Sequence, residues 1–116
     1  MSYTPKSYIK QSDDRYLTVV SLCRGYQRRQ ERIERASLFS AQTDPVLAKD
    51  ILLNRIIYSA ISMRCPEQWL IPHLIDSIGD MVGFRNFKYN GSVSKYLFEK
   101  WKKESVWEIA RQLLLI

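Results

Sequence analysis

The sequence is poor in the residues that build reactive centres and irregular folds. Its 116 residues include one histidine, two cysteines, four glycines and four prolines. Two distant cysteines, Cys23 and Cys65, give no disulfide framework and read as buried thiols of a reducing interior. His73 alone offers a side chain that titrates near neutrality, and a Cys65/His73 pair lacks two ligands of a zinc site. No glycine-rich phosphate loop, H-E-x-x-H or G-x-S-x-G is present. Asp76 and Asp80 stand one helical turn apart and read as a solvated face. These shortages argue against an enzyme, a bound metal and a cofactor. Apolar runs fall far short of the ~20 residues of a membrane span, and the opening MSYTPKSYIKQSDDRY has no apolar leader. A soluble, cytoplasmic protein with no membrane partner is expected.

What is abundant is helical periodicity. Hydrophobic residues make up 46% and charged residues 26% of the chain, a globular balance, and apolar positions recur every three or four residues. The pattern predicts an all-α, compact bundle of about four helices, over 12–37, 45–63, 71–82 and 93–114. Residues 1–12 read as a loose basic arm, and 13–116 as one helical domain with a loop at 84–91. Ser12 is placed to cap the first helix, where Tyr16, Val19, Cys23, Tyr26 and Ile33 share a side. Thr43-Asp44-Pro45 starts a second helix, apolar around most of its circumference and hence central, with Lys49, Asp50, Asn54 and Arg55 as its polar strip. Leu74, Ile75, Ile78 and Met81 point inward from a third that Gly83 closes. Ser92 or Ser94 caps the last, with Val93, Tyr96, Leu97 and Trp101 as its stripe. Its stripe then shifts to Val106, Ile109, Ala110 and Leu113, and Ser105-x-x-Glu108 is a capping-box pattern, so a kink or restart is expected there.

Charge is uneven. Eighteen Lys and Arg against twelve Asp and Glu leave a net +6. Residues 1–38 carry +4, residues 39–83 carry −2, and residues 84–116 carry +4, so the ends can meet as one positive surface. Arg24, Arg28, Arg32 and Arg35 recur at helical spacing on one face, only partly offset by Glu31 and Glu34. Guanidinium suits phosphate or carboxylate equally. Lys95, Lys100, Lys102 and Lys103 flank Tyr96 and Trp101, after a loop with Arg85, Lys88 and Tyr89. Cations interleaved with aromatic rings suit phosphate contact and base stacking.

Ser94 to Leu115 (SKYLFEKWKKESVWEIARQLLL) resembles the closing helix of RinA/ArpU-type phage transcriptional regulators, including the pattern Val106-x-x-Ile109-Ala110-x-x-Leu113. The stretch from Arg24 to Glu34 is similar to their N-terminal coil, whereas Gly79 to Phe84 departs from their usual helix-turn-helix pattern. The resemblance implies a small basic promoter-DNA binder, with Lys95 and Tyr96 in the DNA-reading region. The residues themselves support a nucleic-acid-binding regulator, DNA favoured, using Arg24, Arg28, Arg32, Arg35, Lys95, Tyr96, Lys102 and Lys103. The rival expectation is a small interaction module docking the same basic face on an acidic protein groove. The apolar end, Val106 to Ile116, suggests a possible homodimer contact through the C-terminal helix.

Overall fold

The computed structural model describes residues 8–36, 43–87 and 93–115. Among them the fold is all-α: α1 (Asp14–Arg24), α2 (Tyr26–Arg35), α3 (Pro45–Arg64), α4 (Ile71–Gly79) and α5 (Lys95–Gln112), with short 3-10 turns at Gln68–Leu70 and Phe84–Asn86. α1 and α2 are two halves of one expected helix, broken at Gly25, so the bundle has about four rods. None of the described helices is long and apolar enough to cross a membrane.

The starts follow their capping chemistry. Asp13, one residue past the expected Ser12, accepts the Arg15 amide at 2.8 Å. The Arg15 guanidinium folds onto the same carboxylate at 2.6 Å, and this bond holds the Asp13 pKa down at about 2. Asp44 accepts from the Val46 and Leu47 amides ahead of Pro45, and Ser94 accepts from Leu97 at 3.1 Å.

The ends hold surprises for a reading based on glycine. α4 stops at Gly79, not at 82, and Met81 takes the left-handed conformation at φ 55°. Val82 donates to the Ser77 carbonyl at 3.1 Å and Met81 to that of Ile78 at 3.2 Å, which closes a Schellman motif. Leu114, at φ 60°, closes α5 in the same way. Met81 is therefore exposed, not inward-facing, and Gly83 closes nothing.

α1 packs along α4, and α3 along both α2 and α5. The core between them is apolar: Val19, Ala60, Ile61, Leu70, Ile71, Leu74, Ile78, Phe98, Val106 and Ile109 expose none of their surface. Gly79 sets the closest approach. A Cβ there would lie 2.9 Å from the Arg24 backbone nitrogen, inside any real contact.

Several expectations are corrected. Ile9 is buried in the core, so residues 8–12 are seated and not part of a loose arm; residues 1–7 lie outside the described residues, as do the 37–42 link and the 88–91 part of the expected loop. α3 is not central, because Leu52 and Met63 are 56% and 58% exposed on its outer side. α5 runs through Ser105 without a restart, since Ser105 and Glu108 are both buried in mid-helix. Its stripe is Phe98, Lys102, Val106 and Ile109, and Tyr96 points outward. Val106, Ile109 and Ala110 are consumed within this core and so cannot form a dimer contact; Leu114 alone of the terminal leucines is exposed.

Two substitutions test this account in denaturant melts. Gly79→Ala must push α1 from α4 and is expected to cost about 2 kcal/mol. Met81→Gly relieves the left-handed residue and is expected to add about 1 kcal/mol. Unchanged stability in Gly79→Ala would contradict the close approach.

Candidate nucleic-acid interface

The arginine face divides once the helices are packed. Arg29, next to the face, is the buried residue of α2. Its Nε donates to Asn54 Oδ1 at 2.7 Å and its Nη2 to the Leu22 carbonyl, the group freed where the helix breaks. Gly25 makes room for it, since a Cβ there would sit 2.7 Å from Arg29 Nη1. Asn54 in turn donates to the Tyr26 carbonyl at 3.1 Å and to Gln30 Oε1 at 3.2 Å. Arg32 grips Asp50 through two bonds, at 2.8 and 3.0 Å. The hydrogen bond from Arg32 holds the Asp50 carboxyl below its usual range.

These contacts decide which cations face outward. Arg32 is committed to Asp50, which corrects its expected role as a free phosphate ligand. Arg24 gives its Nε to the Gly79 carbonyl at 3.1 Å while its side chain stays at the surface. Arg28 and Arg35 are exposed and make no ion pair among the described residues. The face thus keeps two uncommitted guanidinium groups and one half-committed group.

The lysines divide similarly. Lys102, expected on the surface, is 4% exposed, and its ammonium donates to the Val82 carbonyl at 2.7 Å. Ser77 Oγ donates to that same carbonyl. Burial lowers the Lys102 pKa, and its nucleic-acid role is withdrawn. Lys95, Lys100 and Lys103 instead surround, with Tyr96 and Glu99, a shallow cavity of about 280 Å³. A neighbouring cleft of about 110 Å³ joins Lys103 and Glu99 to Tyr8, Gln11 and Tyr16. Lys103 Nζ lies 5.3 Å from the centre of the Tyr8 ring. Trp101 and Trp107 are half-buried and pack against the core. One basic set runs from Arg24 at the end of α1 along α2 and the other sits on α5 beside residue 8, and the cavity lined by Arg32 and Arg35 shares no residue with those of the α5 set.

Other reactive side chains are in quiet settings. Burial pushes the Cys23 thiol up to about 12 and raises that of Cys65. His73 lies on the surface of α4, with its ring 6.3 Å from that of Trp69 and 4.9 Å from that of Phe87. Among the described residues no three His, Cys, Asp or Glu side chains gather as a metal site. Sequence reasoning assigned Glu108 to a capping box and missed its ion pairs: its carboxylate is fully buried, yet receives Arg64 at 2.8 Å and also Arg111. Burial works to raise its pKa, and the bonds from Arg111, Arg64 and Gln112 outweigh it and lower it. The i, i+3 pairing of Glu108 with Arg111 was the available signal.

Comparison with protein-family models, curated proteins and solved structures gives no match to this chain.

The Lys102 arrangement has a pH signature. The unfolded chain holds this proton more tightly than the fold does, so folding carries a cost below the lowered native pKa. That cost is relieved as the pH climbs through the native value toward the ordinary 10.5. Thermal melts should therefore show Lys102→Met as stable as the parent or more so at pH 7, with the advantage shrinking toward pH 10. A large loss of stability at pH 7 would contradict this.

Proposed function

We propose that this chain is a small, non-catalytic nucleic-acid-binding protein, with DNA the favoured partner, acting in the cytoplasm as a transcription regulator of the phage type that its sequence resembles. The observation that carries this reading is the allocation of positive charge. Arg29, Arg32, Arg64, Lys102 and Arg111 are bonded within the fold, while Arg28, Arg35, Lys95 and Lys100 are left with no carboxylate partner among the described residues. Arg24, through its remaining N–H groups, and Lys103 add to the same two surfaces. Side chains of this kind contact phosphate oxygens irrespective of sequence, position a protein on a duplex, and release counterions as they do so.

A second reading, an interaction module that docks on an acidic protein groove, is favoured by the exposed apolar side chains Leu52 and Met63 on α3. The two readings part on one experiment.

Fluorescence anisotropy with a labelled mixed-sequence duplex, at several salt concentrations, should give affinity that falls linearly on a log–log plot. The Arg28→Ala/Arg35→Ala double variant should weaken binding to every sequence alike and flatten the slope by about 1.8, at about 0.9 per contact. Arg32→Ala should instead lower stability, because it strands Asp50. Absence of binding at low salt would overturn the nucleic-acid reading and leave the protein-docking one.

A further inference from the structure

We infer that the opening half of α5 is a single-strand-binding surface, on which a nucleobase stacks against Tyr96 while Lys95, Lys100 and Lys103 hold the phosphates on either side of it. This deepens the nucleic-acid reading and rests on it. The two basic surfaces differ in chemistry. α2 offers guanidinium groups on a helix whose exposed neighbours, Gln27 and Glu31, carry no ring. α5 offers ammonium groups around an aromatic ring that is 51% exposed. An exposed ring is a poor partner for a duplex backbone, whose bases are already stacked on each other. It is a good one for an unpaired base, since every base has a face to stack.

The local geometry supports this use. Tyr96, Lys100 and Lys103 recur at i, i+4 and i+7, so the ring and two cations share one side of the helix, with Lys95 beside them. Glu99 is the one acidic group in the cavity. Its Oε1 accepts the Phe84 amide at 3.0 Å, which ties it to the 84–86 turn, and the oppositely charged Lys102 lines the adjoining cleft with it. The carboxylate is thus tethered, and its repulsion of a phosphate is offset. A second ring continues the track past Lys103, because Tyr8 lies under that ammonium and lines the adjoining cleft. The helix beneath is rigid: Phe98, Val106 and Ile109 are fully buried, so the ring and cations stand on a fixed base.

The test is anisotropy with labelled oligothymidylate and with a mixed-sequence duplex of equal length, using the whole chain. Tyr96→Ala should weaken oligothymidylate binding about tenfold with the duplex affinity unchanged, and Tyr96→Phe should bind like the parent. Lys100→Ala should flatten the single-strand salt slope by about 0.7. The inference is overturned if Tyr96→Ala binds oligothymidylate as the parent does, or weakens both probes equally. If neither probe binds the parent at low salt, the broader nucleic-acid reading falls with it.

Discussion

A buried guanidinium organises this molecule. α2, with the sequence YQRRQERIER, has too little apolar surface to be held by hydrophobic burial, and the residue it buries is Arg29. An isolated charge in that position would be prohibitive, so it must be met by directed bonds. Asn54 and the Leu22 carbonyl supply them, and the Asp50 carboxylate beside Arg32 supplies the nearest negative charge. Because hydrogen bonds have direction and hydrophobic contacts do not, this seam fixes the rotation of α2 about its own axis. That rotation sends Arg28 and Arg35 to solvent. The break at Gly25 belongs to the same device, since a Cβ there would sit 2.7 Å from the guanidinium, which would have to shift.

α3 is consequently held by different forces along its length. Its first half meets α2 through Asp50 and Asn54, its middle meets the core through Ile57, Ala60 and Ile61, and its end meets α5 through Arg64 and Glu108. Arg64 also lies 5.4 Å from the centre of the Trp107 ring. A helix apolar around its whole circumference would ordinarily be central. Here the polar Asp50 and Asn54 take two of the inward positions, and apolar residues, Leu52 and Met63 among them, lie outside.

The same inversion marks the limit of what the sequence discloses. Fold class, cap residues at Asp44 and Ser94, and the inward sides of α1 and α4 are legible, because capping and periodicity are local properties of the chain. The α5 stripe departs from the expected one for a specific reason: with Lys102 assigned to solvent, it is drawn around Tyr96 and leaves out Phe98, which the structure buries. Whether a lysine is buried depends on an acceptor far away in sequence, here the Val82 carbonyl, and no periodicity reports that. Helix ends at Met81 and Leu114 were equally hidden, since their left-handed conformation is normally announced by glycine. The arginine face was half legible. Its spacing was real, but a wheel cannot show that Asp50 waits across the seam for Arg32.

The two cationic surfaces therefore differ in more than the residues they carry. The α5 lysines and Tyr96 stand on a helix anchored by fully buried apolar side chains, so their positions are set by close packing, which resists displacement. The α2 arginines stand on a helix anchored by a polar seam, in which each bond is made by a charged group and contributes about 1.5–3 kcal/mol net. Moving α2 strands the buried Arg29 charge, whereas moving α5 opens the apolar core. In the proposed function, a polyanion meeting α5 would encounter a preorganised surface. In the same proposal, a polyanion at the arginine face would meet cations whose direction is set by the same buried charge that builds the fold.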